Sequence, residues 1–192
     1  MTRLPCILTA MTVLLSGCTG AYVGGGGVAN DPRNVRGHLP DLRFRLTDDT
    51  GRAVTEAAWR GQTTLVYFGY TGCGAECPVT LARLATMTQH LVPAGPAPHV
   101  LFVTVTPDVD RPAVLHAYLG RFDPAHMSGL TGTVADLQRL ARGLRAAWPQ
   151  PGSAAHGDLV YVFDGQGKAR FLITPQDSDS DVLRALQSLD HG

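Results

Sequence analysis

No charge of either sign predominates in this chain of 192 residues: Lys plus Arg and Asp plus Glu are 16 each, and the formal net charge is zero. No like-charge run stands out either. That leaves out the basic footprint of a nucleic-acid binder and the block of like charges that marks an interaction tail. No apolar run reaches the roughly 20 residues of a comfortable membrane span. Internal repeats are absent. Cysteine is scarce, at four residues, and no two of them have the CxxC spacing of a general redox motif. No proline stands immediately before "LVYVF", where thioredoxin-type enzymes keep a cis-proline beside their site. What remains is an ordinary apolar content of 44%, enough for one globular domain with a real core.

The amino end carries a leader. Arg3 is a short basic start, "LPCILTAMTVLL" is an apolar run, and "LSGC" closes it. This resembles a bacterial lipoprotein signal, with residues 1–17 removed and Cys18 carrying lipid. Residues 18–37 are Gly-rich and aperiodic, which reads as a flexible tether, and residues 38–192 read as the folded domain. Cys6 leaves with the signal. Only Cys73 and Cys77 then remain as thiols, in an oxidising compartment. They lie too close in sequence for a disulfide between them to stabilise much by closing a loop.

Strands and helices alternate. "LRFRL" at 42–46 alternates and reads as a strand, "DDTG" as a turn, and 52–54 as a short second strand. One helical turn is expected near Glu56–Arg60. "TLVYFGY" and "HVLFVTV" are β-branched and aromatic and read as buried strands. Pro78 suits the first turn of a helix whose stripe is Leu84, Met87 and Leu91. Helices are expected at 112–122, at 133–145 (opened by Thr133 with Asp136 three residues on) and at 179–189, with "LVYVF" and "ARFLI" forming a hairpin about "DGQG". The expectation is an α/β, thioredoxin-like three-layer sandwich: a mixed central sheet flanked by helices, with an N-terminal β-hairpin extension. Its site should sit at the carboxyl end of the "TLVYFGY" strand.

That strand runs into "TGCGAECP". Cys77, next to Pro78, falls at a helix N-terminus, where exposed N–H groups and the helix dipole favour a thiolate. Thiolate serves disulfide exchange and metal binding alike. Four-residue spacing lets both sulfurs face one centre or pair with each other. Two soft donors suit copper(I), and a more demanding metal needs a third ligand. Seven histidines are available: His38, His90, His99, His116, His126, His156 and His191. His156 differs from the rest because it ends a long Gly/Pro-rich loop, "AWPQPGSAAHGD", directly before a buried strand. Met87 lies on the apolar helix stripe and reads as core, and Met127 is a soft donor in principle. Asp110, just ahead of Pro112, reads as an N-cap.

"LVYFGYTGCGAECPVTLARL", "VTVTPDVDRPAVLHAYLGRF" and "HGDLVYVFDGQGKARF", in that order, resemble the signature blocks of the Sco/SenC family. The resemblance implies a membrane-tethered, thioredoxin-like protein that binds copper(I) or copper(II) through Cys73, Cys77 and His156. It implies delivery of copper to the binuclear copper centre of cytochrome c oxidase subunit II, and the expected partner is that subunit or another copper chaperone. The alternative is a periplasmic thiol–disulfide reductase that keeps the cysteines of that copper site reduced, with Cys73 and Cys77 as the redox pair. The expected protein is a monomer held by a lipid anchor in a bacterial cell envelope, facing the periplasm or the outer side of the cytoplasmic membrane. It binds no nucleic acid and acts by binding and transfer rather than by enzymatic turnover. The chain departs from the family pattern at Gly72, Gly74, Glu76 and Thr106, none of them an implied ligand.

Overall fold

The computed structural model describes residues 34–92, 96–149 and 157–189. Cys18, His156 and His191 lie outside the described residues. A seven-stranded mixed sheet forms the centre. Its strands are β1 (Arg45–Asp48), β2 (Ala53–Thr55), β3 (Thr64–Gly69), β4 (His99–Thr104), β5 (Met127–Thr131), β6 (Val160–Phe163) and β7 (Ala169–Ile173). The order across the sheet is β2-β1-β5-β4-β3-β6-β7. β3, β4 and β5 run parallel, while β1, β2, β6 and β7 join as antiparallel hairpins. The helices are α1 (Glu76–Leu91), α2 (Pro112–Leu119), α3 (Val134–Gly143) and α4 (Asp179–Gln187), with one 3-10 turn at Glu56–Trp59.

The period-two alternation of strand side chains splits the core into two layers. From β3, Leu65 and Tyr67 join Leu81 and Leu84 of α1, Tyr118 of α2 and Leu186 of α4. Val66 and Phe68 face the other way, onto Leu137 and Leu140 of α3. Helices therefore cover both faces of a sheet whose central strands are buried on both sides, the expected thioredoxin-like layout with its N-terminal hairpin.

Local capping matches the sequence reading. Thr133 caps α3 by accepting from the Asp136 backbone N–H at 3.2 Å, and Ser178 does the same for α4 through Asp181. Three expectations shift. "LRFRL" is only partly strand: Leu42 N–H instead donates to Gly167 O at 2.8 Å, Phe44 packs on Trp59, and pairing with β2 begins at Arg45. The sequence reading assigns no element to residues 127–131, yet they form β5, which carries the whole N-terminal hairpin through its pairing with β1. Residues 34 and 35, inside the expected tether, contact β7: Asn34 forms a bridge with Phe171, and Val35 N–H donates to Arg170 O at 3.2 Å.

Candidate metal centre

The site is built where β3 stops. Val105 N–H donates to Gly69 O at 2.9 Å, which keeps β3 and the segment after β4 in step past the last ladder pair. The chain then turns, with Cys73 N–H on Tyr70 O at 3.1 Å, and enters α1 at Glu76. No side chain caps this helix at Ala75. Instead the Cys77 N–H, one of the first-turn groups that lack an intrahelical acceptor, donates to Cys73 Sγ at 3.4 Å. Both cysteines are thiols, buried and side by side at the carboxyl end of the central strands.

Glycine at 69 makes room for them. A β carbon there would stand 2.8 Å from Cys77 Sγ and 2.6 Å from the Phe102 ring edge, closer than atoms pack. Cys77 is 0% exposed, and Tyr67 Oη donates to its sulfur at 3.7 Å. Burial pushes the Cys77 thiol up to about 12, with the neighbouring Cys73 adding to the shift; hydrogen bonds from the Tyr70 backbone and the Tyr67 hydroxyl oppose it. The expected lowering of the Cys77 pKa by the helix N-terminus is therefore overturned. The side chain points into the apolar core, and desolvation of a thiolate there outweighs the dipole. The same burial, with Cys77 next, raises Tyr67, so its hydroxyl stays a donor.

A second buried group holds the loop. Asp110, 0% exposed, accepts from Thr71 N–H at 3.1 Å and Thr71 Oγ1 at 2.5 Å, two residues before Cys73. It also accepts from Thr104 Oγ1 at 2.6 Å and Thr106 Oγ1 at 3.2 Å. It is not the N-cap of α2: that position is Arg111, whose side chain makes no cap bond. The carboxylate instead fastens the cysteine loop to the end of β4. Sequence reasoning missed this clamp, and also Gly69 and Tyr67, because each meets its partner only in three dimensions.

The described histidines do not join the two sulfurs. His99 opens β4, at the end of the sheet away from the cysteine loop; its ring nitrogen pairs with Ser128 Oγ at 2.9 Å, and burial lowers its pKa to about 4. His126 pairs with Asp123, His116 with Asp49, and His90 with the Thr86 carbonyl. Met87 is core, 2% exposed, and Met127 is buried at 4%. Among the described residues no group of three or more His, Cys, Asp or Glu side chains is gathered. The described chain thus supplies two adjacent sulfurs with hydrogen bonds around them. That donor set suits a soft, low-coordinate cation and leaves room for a further ligand.

The profile of the SCO1/SenC family matches residues 36–190. The bovine "Protein SCO2 homolog, mitochondrial" is 30% identical over 190 residues, covering 92% of this chain and 70% of the relative. The human protein of the same name is 35% identical over 142 residues, covering 73% of this chain but only 44% of its own length. Among solved structures, Bradyrhizobium japonicum ScoI with copper bound matches with a TM-score of 0.67 at 28% identity, covering 78% of this chain and 98% of that one.

Proposed function

The chain belongs to the SCO1/SenC family, and from that premise we propose that it is a copper metallochaperone that loads the binuclear copper centre of cytochrome c oxidase subunit II. Cys73 and Cys77 supply two thiolates, and His156, outside the described residues, supplies an imidazole nitrogen. The observation that carries this reading is the meeting of the two sulfurs, with Cys77 N–H on Cys73 Sγ. A relative whose copper-bound structure shares the fold supports it.

Two soft sulfurs hold copper(I), and one nitrogen adds affinity for copper(II). Three ligands leave a position open, through which an acceptor's thiolates can take the metal by ligand exchange. Loading displaces the Cys77 proton, so metal binding and proton release are linked at this sulfur. The rival role, a thiol–disulfide reductase, needs a ready thiolate nucleophile. In that role Cys73, the less buried of the two sulfurs, would be the attacking group and the fully buried Cys77 its resolving partner, so the two roles are separated by the transfer experiment below.

No helix among the described residues is long and apolar enough to cross a membrane. The proposed attachment is lipid on Cys18 after removal of residues 1–17. With Asn34 and Val35 joined to β7, the tether shortens to 18–33 and the copper-binding domain begins at 34, at the surface of a bacterial envelope membrane. The test is transfer. Copper(I)-loaded chain, mixed with copper-free reduced subunit II domain, should lose its metal and generate the acceptor's copper spectrum. A chain that reduces an oxidised subunit II domain yet never passes copper would replace this reading with the reductase. His156→Ala should weaken copper(II) far more than copper(I) and alter the sulfur-to-copper(II) charge-transfer band. An unchanged band and affinity would remove His156 from the ligand set.

A further inference from the structure

Tyr118 poses a problem that the fold leaves unsolved. It is 5% exposed, and its hydroxyl is enclosed without a hydrogen-bond partner among the described residues. A buried O–H left unpaired destabilises the state that contains it, and native interiors rarely tolerate one without a reason. The ring itself is well placed: it packs on Phe102 at 5.7 Å and edge-on to Phe122 at 5.5 Å, and the Arg121 guanidinium lies 4.7 Å from its centroid. Packing therefore accounts for an aromatic ring at this position. It does not account for the oxygen.

The ring stands in the same core as the cysteine site. Tyr118 shares one core cluster with Cys73, Cys77, Tyr67 and Phe102. Phe102 touches both tyrosine rings, with centroids 6.0 Å from Tyr67 and 5.7 Å from Tyr118. The edge of the same Phe102 ring and the Cys77 sulfur crowd one point, the missing β carbon of Gly69. Tyr67 already donates to Cys77 Sγ, so one phenol of the pair is engaged and the other is not.

We propose that Tyr118 is a positioning residue for metal loading: its hydroxyl is held as a further hydrogen-bond donor for the Cys77 sulfur in the charged, metal-bound form. The inference rests on the copper-binding reading given above. Its logic is the difference between two states. A thiol sulfur is a weak acceptor, and the Cys77 thiol already takes the Tyr67 hydroxyl. A thiolate carries more electron density and accepts stronger bonds. The Tyr118 hydroxyl thus loses little to the thiol form and gains when the sulfur becomes a ligand, which favours the loaded state alone. Hydrogen bonds from beyond the ligands are a standard means of tuning a metal–sulfur bond. Burial first, and then the charge that Cys77 would carry, push Tyr118 up to about 12, so it remains an O–H donor throughout the physiological range.

The test is Tyr118→Phe in the full chain, read in two ways. The reduced, copper-free variant should melt at or above the wild-type temperature, because an unpaired hydroxyl has been removed and the ring kept. Its copper(I) affinity, measured against a competing chelator, should fall by about tenfold, the scale of one hydrogen bond to a charged acceptor. Its sulfur-to-copper(II) charge-transfer band should move to lower energy, because the sulfur lone pair loses a stabilising donor. Tyr67→Phe, which removes a bond already made to the thiol, should lower both melting temperature and affinity. Unchanged copper(I) affinity and band in Tyr118→Phe overturn the proposal, whatever the melting temperature does. So does a Tyr118→Phe variant that no longer folds, because its hydroxyl would then be structural. A wild-type chain that binds no copper(I) overturns the copper-binding reading and this inference with it, which separates that failure from a failure of Tyr118 alone.

Discussion

Asp48 and Asp110 are both buried carboxylates, 3% and 0% exposed, and they are satisfied by opposite means. Asp48 closes the β1–β2 turn with partners no more than four residues away: Thr50 N–H at 3.0 Å, Thr50 Oγ1 at 2.6 Å, Arg52 N–H at 2.9 Å and the Arg52 guanidinium at 3.1 Å. Asp110 reaches back 39 residues to Thr71 and ties it to Thr104 and Thr106. The first is a local device that shapes a hairpin. The second joins two distant segments, the cysteine loop and the stretch from the end of β4 to Asp110, and fixes the loop that carries Cys73. Similar chemistry at two places therefore does two jobs, and the sequence separation of the partners tells which.

The comparison breaks most sharply at Asp110→Ala. The substitution removes the acceptor of Thr71 N–H and of three threonine hydroxyls in a partly buried site, and about 3 kcal/mol of stability should be lost, measured by urea unfolding. Copper(I) affinity should fall with it, because Thr71 no longer anchors the cysteine loop. Destabilisation with unchanged copper binding would reduce Asp110 to the same kind of role as Asp48.

Glycines sharpen the contrast. Gly69→Ala forces a methyl against Phe102 and Cys77 Sγ, which should cost about 2 kcal/mol as overpacking and displace the sulfur enough to weaken copper(I). Gly51, in the Asp48 turn, has φ +85 and open space around it. Gly51→Ala should therefore cost only about 1 kcal/mol of backbone strain and leave copper(I) affinity alone. Equal effects of the two variants on copper would deny Gly69 its place beside the sulfur.

The smallest expected effect is at Asp48 itself. Burial alone would raise its pKa, but hydrogen bonds from Thr50 and Arg52 outweigh burial and hold the carboxyl below its usual value. A lowered folded pKa contributes stability that is present above the unfolded value of about 3.9 and is lost as pH falls through the folded value. Asp48→Asn should cost about 1 kcal/mol at pH 7, with the gap to wild type closing in acid and copper(I) binding untouched. A gap that does not change with pH would mean that the carboxylate charge contributes nothing there.

What could be read in advance follows the same division between local and distant partners. The Asp48 turn, the Thr133–Asp136 box on α3 and Pro78 in the first turn of α1 are signals contained within a few residues, and each lies where the sequence places it. β5 escaped because "MSGLT" offers neither alternation nor a β-branched run. Its Gly129 instead admits α2: a β carbon there would lie 2.7 Å from Leu115 Cβ. Spacing brought Cys73 and Cys77 into view as a pair. It could not show that Cys77 faces inward, and a helix-end argument based on exposed N–H groups then predicted the wrong direction for its pKa. Asp110 and Tyr118 were invisible as site residues because their neighbours at the site come from β3, the cysteine loop and β4.

The central claim is that Cys73 and Cys77 together hold the metal, and a competition titration of the full chain with copper(I) against a chelator of known affinity tests it most directly. The fully reduced chain should take up about one copper(I), and the same chain with Cys73 and Cys77 joined in a disulfide should take up none, because a disulfide sulfur has no thiolate charge to donate. Equal copper(I) affinity in the two forms would contradict the account.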